Sequence, residues 1–237
     1  MRNAIIIGAS SGIGKELAKV LARNGFNVGL AARRLELLEA VARDIETTAF
    51  VKVIDVSKPE AMPLLRELIA EMKDVELFVI SSGTGFINPK LEWAQENETI
   101  AVNVSGFAAM TNVAVEHLQA RGSGQLVGIS SIAALRGNRE APAYGASKAF
   151  MSNYLQGLNH KFAKLGLPIT VMDVQPGFVD TAMAKSDRTF WMAPPEKAAA
   201  QIFAAIRKRK SHVYVTRRWR IIAWLFKIAP DWLVHKV

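Results

Sequence analysis

A tyrosine and a lysine four positions apart form the pair in this sequence that most directly indicates chemistry. Tyr144 and Lys148 belong to the run Tyr-Gly-Ala-Ser-Lys, and on a helix they lie on one face. A phenol has a pKa of about 10, too high for a base at neutral pH, whereas a neighbouring cation favours the phenolate and lowers that pKa. We therefore expect Tyr144 to exchange the proton of a carbinol, with Lys148 lowering its pKa.

Two more polar residues are candidates for the same centre. Ser131 follows a short apolar run and precedes Tyr144 by thirteen residues, so a loop can bring its hydroxyl to the same carbonyl. Asn103 interrupts an apolar helical pattern, where an amide has a poor helix propensity. Its amide is either satisfied within the core or anchors a water near Lys148.

A glycine-rich turn near the amino terminus is a candidate phosphate site. Residues 8–14 read Gly-Ala-Ser-Ser-Gly-Ile-Gly, between an apolar run and a helical pattern. Glycine lets backbone approach a pyrophosphate, and a helix that begins there offers N–H groups to it. The alternative is a turn with no ligand. A Walker loop is excluded, because the Gly-Lys-Ser/Thr ending is missing.

Two arginines follow the second apolar run, at the place where a carboxylate would bind the ribose hydroxyls of an adenosine. The run ends at Ala32, and Arg33 and Arg34 come next. Guanidinium groups suit a phosphate. This predicts NADP in preference to NAD, unless both arginines simply face solvent.

Short apolar runs alternate with helical patterns along the whole chain. Strands are predicted at 4–8, 27–32, 49–54, 77–81, 125–130, 169–174 and 212–215, and helices near 13–24, 35–46, 60–72, 91–119, 143–164 and 195–209. Continuous apolar runs are typical of strands covered on both faces. The expected fold is α/β, a Rossmann-like doubly wound parallel sheet of about seven strands with helices on both faces. Ligands of such sheets bind beyond the carboxyl ends of the strands.

Composition narrows the function further. The 237 residues are 50% apolar and 22% charged. They include no cysteine, which excludes disulfides and thiolate catalysis. The four histidines share no short spacing, so no metal site is expected. The net charge of +9 attracts anionic ligands or surfaces, but no nucleic-acid recognition motif accompanies it. With no targeting segment visible, a cytoplasmic protein is expected.

Together these residues resemble the short-chain dehydrogenase/reductase family, over residues 3 to about 182. The resemblance implies an NAD(P)-dependent oxidoreductase that interconverts a carbonyl and an alcohol by hydride transfer. It implies that Tyr144 is the acid/base and that Lys148 lowers its pKa and binds the nicotinamide ribose. Ser131 would orient the substrate oxygen and Asn103 would hold a relay water.

The resemblance also implies a set of cofactor-binding residues. These are Gly8, Ser10, Ser11, Gly12, Ile13, Gly14, Arg33, Arg34, Asp55, Val56, Ser82, Gly83, Tyr144, Lys148, Pro176, Gly177, Val179 and Thr181. Two departures stand out. Residues 81–84 read Ser-Ser-Gly-Thr where the family has Asn-Asn-Ala-Gly, and Ser11 stands where some NADP-preferring members have Arg or Lys.

By the same resemblance, residues 182–195 form a lid over the substrate. Its apolar side chains, Met183, Phe190, Trp191 and Met192, either line the substrate site, which predicts an apolar substrate such as a steroid, lipid or acyl compound, or pack into their own core. Residues 1–216 are expected to form the dinucleotide-binding domain together with this lid. Because NADP is mostly reduced in cells, reduction is the expected direction.

Residues 217–237 form a basic, amphipathic tail with interfacial tryptophans. This composition fits a helix on a membrane surface, but packing on its own domain, on the cleft or on a neighbouring subunit fits as well. The alternative function is a cofactor-binding interaction protein that docks through this tail. A homodimer or homotetramer through 91–119 and 143–164 is expected by analogy with the family.

Overall fold

The computed structural model describes residues 2–181 and 191–230 and contains a seven-stranded, all-parallel sheet. The strands are β1 (Arg2–Ile7), β2 (Phe26–Ala32), β3 (Ala49–Val53), β4 (Val75–Ile80), β5 (Gly124–Ile129), β6 (Ile169–Pro176) and β7 (His212–Val215). Their order is β3-β2-β1-β4-β5-β6-β7. The chain therefore winds outward from β1 in one direction and then returns to continue from β4 in the other, and the predicted doubly wound α/β fold is confirmed.

Helices cover both faces of this sheet. They are α1 (Gly12–Arg23), α2 (Leu35–Arg43), α3 (Ala61–Met72), α4 (Trp93–Ile100), α5 (Phe107–Arg121), α6 (Pro142–Leu165), α7 (Pro195–Arg207) and α8 (Trp219–Ile228). Successive side chains of β1 enter opposite cores: Ile6 packs with α1, α2 and α7, and Ile5 packs with α3, α5 and α6. Burial on both faces explains why the strands read as continuous apolar runs.

The predicted helix 91–119 is confirmed as one helical run, but its interior is not α-helical. Between α4 and α5 the structure has a π-helical segment, Ala101–Gly106. A Cβ at Gly106 would lie 2.7 Å from the carbonyl oxygen of Val56, so the chain passes here against the loop that follows β3. A π turn adds one residue to the helical turn and often occurs at functional sites. Here it contains Asn103.

The C-terminal basic residues divide between the two ends of the sheet. Arg207 ends α7 and, with residues 208–210, leads into the amino end of β7, whereas Arg217, Arg218 and Arg220 follow its carboxyl end. Helix α8 packs against β7 and against the 3₁₀ turn Ile132–Leu135. In the two described ranges, no helix is both long and apolar enough to cross a membrane.

Parts of the predicted lid and tail lie outside the described residues. These parts include Met183 and Phe190 of the lid and Trp232, Leu233 and Val234 of the tail.

Candidate active site

The sequence-predicted site residues meet along one edge of the sheet. The glycine-rich turn follows β1, the arginines follow β2, Asp55 follows β3, and Ser82 follows β4. Ser131 follows β5, and the segment 176–181 ends and follows β6. Because all seven strands are parallel, these positions form the carboxyl edge, where sheets of this kind bind ligands.

Ser131 and Tyr144 bring two hydroxyls together beyond the end of β5. Tyr144 lies in the first turn of α6, which begins with Pro142, a residue whose fixed φ suits this position. Ser131 is buried, and the extended backbone that continues from β5 ends at this residue. Its Oγ accepts a hydrogen bond from the N–H of Ala133 at 3.1 Å. Its hydroxyl lies near enough to that of Tyr144 to lower the pKa of the phenol. The two oxygens can therefore meet the same substrate atom.

Burial, rather than Lys148, sets the direction of the pKa shift of Tyr144, and the expected effect of Lys148 on the phenol stays a prediction. Burial raises the pKa of the phenol above 10, and the hydrogen bond from Ser131 offsets this only in part. The Lys148 ammonium lies 5.8 Å from the centre of the tyrosine ring and donates instead to the carbonyl of Ile129 at 3.0 Å. The phenol is consequently protonated at neutral pH, which makes it a proton donor.

Lys148 is itself a buried cation, with only 3% of its surface exposed. Burial lowers its pKa from 10.5 to about 8, and the nearby Asp173 carboxylate acts in the opposite direction. At pH 7 the amine is still mostly protonated. We call the part of the edge beside β5 and β6 the reacting end. It holds a protonated phenol and, beside it, an ammonium that burial makes easier to deprotonate.

Asp173 is a buried carboxylate that the sequence reasoning did not single out. It accepts hydrogen bonds from the hydroxyls of Ser130 and Ser152 and, at 3.0 Å, from the amide of Gln175. It therefore ties the end of β5, the middle of β6 and helix α6 together beside Lys148. The signal was present in the sequence, since an acid inside the apolar run 169–174 of a doubly covered strand needs partners.

Asn103 braces the loop that follows β4. Its amide accepts from the N–H of Thr84 at 2.9 Å and donates to the carbonyl of Thr84 at 2.7 Å and to the hydroxyl of Ser147 at 3.0 Å. The adjacent Ser81 N–H donates to Ile7 O at 2.7 Å. The Ser-Ser-Gly-Thr departure thus leaves this loop fixed, through Asn103 and through backbone.

The glycine-rich turn packs so closely that side chains would not fit. A Cβ at Gly14 would lie 2.2 Å from the carbonyl oxygen of Gly8, and a Cβ at Gly8 would lie 2.5 Å from the nitrogen of Ser82. Gly12 has φ +55° and faces the methyl group of Thr181. The amino end of α1 is therefore held against the loops after β4 and β6, and Ile13 is half-buried beside it.

The two arginines lie beside this turn in different ways. Arg34 donates to the hydroxyls of Ser10 and Ser11 at 3.0 and 3.1 Å. Arg33 is exposed and acts on Asp55. Burial opposes ionisation of Asp55, but hydrogen bonds from Ser57 and the charge of Arg33 outweigh it and lower the pKa of the carboxyl.

Two features at this edge fit a bound organic cofactor. In the part of the chain that the structure describes, the Ser82 hydroxyl is buried with no hydrogen-bond partner, next to the half-buried Gly83. The glycine turn exposes a helix start with no carboxylate in its first turn. A metal is a different matter: residues 2–181 and 191–230 hold no group of three His, Asp or Glu side chains placed to bind one.

The loop after β6 joins the edge to the C-terminal helix. Gly177 follows the buried Pro176, its N–H donates to Val215 O at 2.7 Å, and a Cβ on it would lie 2.0 Å from the Trp219 ring. Val179 pairs with Ala193 in an isolated parallel bridge. Of the readings left open for the tail, the structure shows α8 packed on its own domain at the reacting end.

The sheet order and the glycine-rich turn at the switch point between β1 and β4 define a Rossmann-like α/β protein. Sequence comparison sets the family: the family model described as short chain dehydrogenase matches residues 2–190. The chain belongs to this family of oxidoreductases.

Similar proteins agree with this placement. An uncharacterized oxidoreductase of Myxococcus xanthus is 37% identical over 193 residues, 78% of this chain and 75% of the relative. One from Staphylococcus saprophyticus is 31% identical, covering 90% and 93%. An alcohol dehydrogenase from the archaeon Thermococcus sibiricus, complexed with 5-hydroxy-NADP, has TM-score 0.80 at 22% identity, covering 91% and 96%. A short chain dehydrogenase/reductase from Burkholderia phymatum in complex with NAD has TM-score 0.84 at 19% identity, covering 94% and 92%.

Proposed function

We propose that this protein is an NADP(H)-dependent reductase that converts a carbonyl of an apolar substrate to an alcohol, and the reverse. The observation that carries the proposal is the cluster formed by Ser131, Tyr144 and Lys148 at the carboxyl edge. It puts two neighbouring hydroxyls beside a buried cation, which is the arrangement needed to protonate an oxygen that becomes negative.

Each residue has one task in this mechanism. A bound nicotinamide supplies the hydride chemistry. Tyr144 gives its proton to the substrate oxygen as negative charge develops there, and Ser131 holds that oxygen by a hydrogen bond. Lys148 stabilises the phenolate that remains. A phenol is protonated at neutral pH, so Tyr144 carries the proton that reduction needs.

The cofactor is expected to lie along the edge from β2 to β6. Gly8, Gly12 and Gly14 would admit its pyrophosphate, Asp55 and Val56 its adenine, and the loop from Pro176 to Thr181 its nicotinamide. Ser82 would supply a hydroxyl that needs a partner. Neighbours of the same fold are complexed with NAD or with an NADP derivative, so the choice rests on this chain's own residues.

Arg34 supports the choice of NADP. Its guanidinium is already fixed beside the glycine turn by Ser10 and Ser11, and no acid stands at Ala32, where the ribose hydroxyls would be bound. A guanidinium held in place binds a phosphate with little further loss of side-chain freedom. Arg33, exposed beside Asp55, adds a second positive charge.

The apolar substrate is supported by the side chains around the reacting end. Trp191 and Met192 are both more than one third exposed. The 3₁₀ turn Ile132–Leu135 adds partly buried apolar groups next to Ser131. These surfaces favour a substrate that buries hydrocarbon.

An open apolar groove supports the expected homo-oligomer. The groove, of about 360 Å³, runs between α4 and α6 and includes Ile100, Val104 and Ala146.

The cytoplasmic location stays a prediction, as does the division of the chain at residue 216. The alternative of an interaction protein without turnover gains no support from the relatives, which are named oxidoreductases.

Thermal unfolding with NADPH and with NADH at equal concentration tests the cofactor, because a ligand that binds the folded state raises the melting temperature. We expect a larger rise with NADPH. Turnover of apolar ketones and aldehydes then tests the reaction, with Tyr144→Phe as the variant. That variant should keep the NADPH shift and lose turnover by about 10³-fold. Equal turnover by Tyr144→Phe would refute the mechanism, and a larger rise with NADH would overturn the cofactor choice.

A further inference from the structure

Helix α8 carries two apolar stripes, and among residues 2–181 and 191–230 only the inward one packs on the domain. The inward stripe consists of Trp219, Ile222, Ala223 and Phe226. The outward stripe consists of Ile221, Trp224, Leu225 and Ile228, which are 60%, 60%, 46% and 58% exposed. Both follow the i, i+3, i+4, i+7 spacing of a helix face. A surface helix with a single partner needs only the first stripe, so the second one calls for another partner.

The outward stripe is a preformed surface, because α8 is fixed on the domain. Arg136 donates to the carbonyls of Phe226 and Ala229, each at 2.7 Å, and so binds the carbonyl end of the helix. At the other end, Trp219 packs edge-on against Phe178 at a ring distance of 5.4 Å. The four outward side chains are therefore held together whether or not anything covers them.

The charged residues of α8 and of the segment that precedes it have one sign. Arg217, Arg220 and Lys227 are exposed, and the sequence has no Asp or Glu from 197 to 230. The partner must accordingly accept large apolar groups and positive charges at the same time. A nucleic acid meets only the requirement for positive charges, because its phosphates would leave the apolar stripe exposed to water.

A second copy of this chain would bring the same positive charges face to face. An interface between identical subunits with two-fold symmetry pairs each patch with itself. The arginines and the lysine beside the stripe would then repel their counterparts, with no carboxylate in 197–230 to neutralise them. The charge argues against this occupant.

We propose that the outward stripe of α8 docks on an anionic lipid surface. Exposed tryptophan and aliphatic side chains enter the boundary between head groups and acyl chains, while the basic residues contact the negative head groups. The helix lies in the plane of the surface. Because its inward face packs beside Gly177 and the turn after Ser131, docking brings the carboxyl edge of the sheet next to the lipid. This surface is independent of the proposed reaction.

Co-sedimentation of the intact protein with vesicles tests the proposal. We compare vesicles of phosphatidylcholine alone with vesicles of phosphatidylcholine and phosphatidylglycerol. The protein should bind the mixed vesicles at low salt and release as salt rises, because exposed charges are screened. Trp224→Ser should weaken binding about tenfold through lost apolar burial. Replacing Arg220 and Lys227 together with Gln should weaken it by a similar factor or more.

Trp93 provides the matched control. It is 69% exposed on α4, so Trp93→Ser removes the same side chain from another surface and should leave vesicle binding unchanged. Tyr144→Phe should also bind as the parent does, which separates this test from that of the reaction. The proposal is overturned if the protein ignores the mixed vesicles, if both vesicles bind it equally, or if Trp224→Ser only splits an oligomer and leaves vesicle binding intact.

Discussion

The two ends of the carboxyl edge are built in opposite ways. Beside β1, the site is shaped by missing side chains, since Gly8 and Gly14 leave no room for a Cβ. Beside β5 and β6, it is shaped by ionisable groups with little access to water: Lys148 and Asp173 are buried, and Tyr144 is partly buried. The first end therefore depends on packing and the second on charge. Adding a Cβ at Gly14 and removing the buried charge of Lys148 should therefore change stability in opposite directions.

Replacing Lys148 with Met should give the largest effect. Turnover should fall by about 10³-fold or more, because the cation that we propose to stabilise the phenolate is lost. The free energy of unfolding at pH 7 should nevertheless rise by about 2 kcal/mol. The cost of keeping the buried amine charged, roughly 3 kcal/mol for a pKa held near 8 instead of 10.5, disappears, and the Ile129 carbonyl loses a donor worth about 1 kcal/mol.

The pH dependence of stability checks the sign of this argument. Since the folded pKa of Lys148 lies below the unfolded value, the unfolded chain binds more protons between pH 8 and 10.5. The contribution of Lys148 to the free energy of unfolding therefore rises across that window. Urea unfolding at pH 7, 8 and 10 should show this rise in the parent relative to Lys148→Met. A difference between the two proteins that stays constant with pH would contradict it.

Gly14→Ala tests the packing end. The new Cβ would lie 2.2 Å from the carbonyl oxygen of Gly8, and backbone on both sides cannot yield easily. We expect a loss of about 3 kcal/mol of stability, measured by urea unfolding. Gly157→Ala is the control: this glycine is exposed within α6 with no atom within 4 Å, so alanine should stabilise the helix by up to about 1 kcal/mol. Equal effects at both glycines would refute the close-packing argument.

Asp173→Asn tests the charge end without touching Lys148. Losing the carboxylate removes the interaction that favours the ammonium, so the pKa of Lys148 should fall further below about 8. The alkaline limb of the pH–rate profile should then move to lower pH, with a loss of about fivefold in kcat/KM at pH 8. Ser152→Ala removes one hydrogen bond from the same carboxylate but keeps the charge. It should lower the melting temperature and leave the limb where it is.

Arg34→Ala should give the smallest change in stability and a selective change in binding. The affinity for NADPH should drop about tenfold, the worth of one charge-assisted contact, while NADH binding stays the same. Isothermal titration with both cofactors measures this. Arg43→Ala, an exposed arginine at the end of α2, should change neither affinity. A parallel loss for both cofactors would place Arg34 elsewhere in the site.

The sequence allowed the fold to be predicted where information is local. Seven apolar runs became seven strands, and the spacing of Gly8, Gly12 and Gly14 marked a turn whose tightness the structure bears out. Features that depend on residues far apart in the sequence could not be predicted. The π turn that contains Asn103 packs against Val56 and Thr84. Asp173 can be identified only from the hydroxyls that donate to it from two other elements.

The pKa of Tyr144 was missed for the same reason. The spacing between Tyr144 and Lys148 is visible in the sequence. The burial of the phenol and the carbonyl of Ile129, which accepts a hydrogen bond from the ammonium, are not visible there. Likewise, the composition of α8 left four arrangements open. Packing of Trp219 on Gly177 became visible only once the chain had folded.

The bridge between Val179 and Ala193 has a consequence for how such a protein can diversify. Asp180 N–H donates to Ala193 O at 2.9 Å and Ala193 N–H donates to Phe178 O at 3.0 Å, so both ends of the intervening segment are fixed to each other. Once the ends are fixed, doubling the length between them costs only about 0.6 kcal/mol in loop entropy. The bridge therefore keeps the end of β6 and the start of α7 in register, whatever sequence joins them. Variation of that sequence leaves Ser131, Tyr144 and Lys148 on a frame of their own.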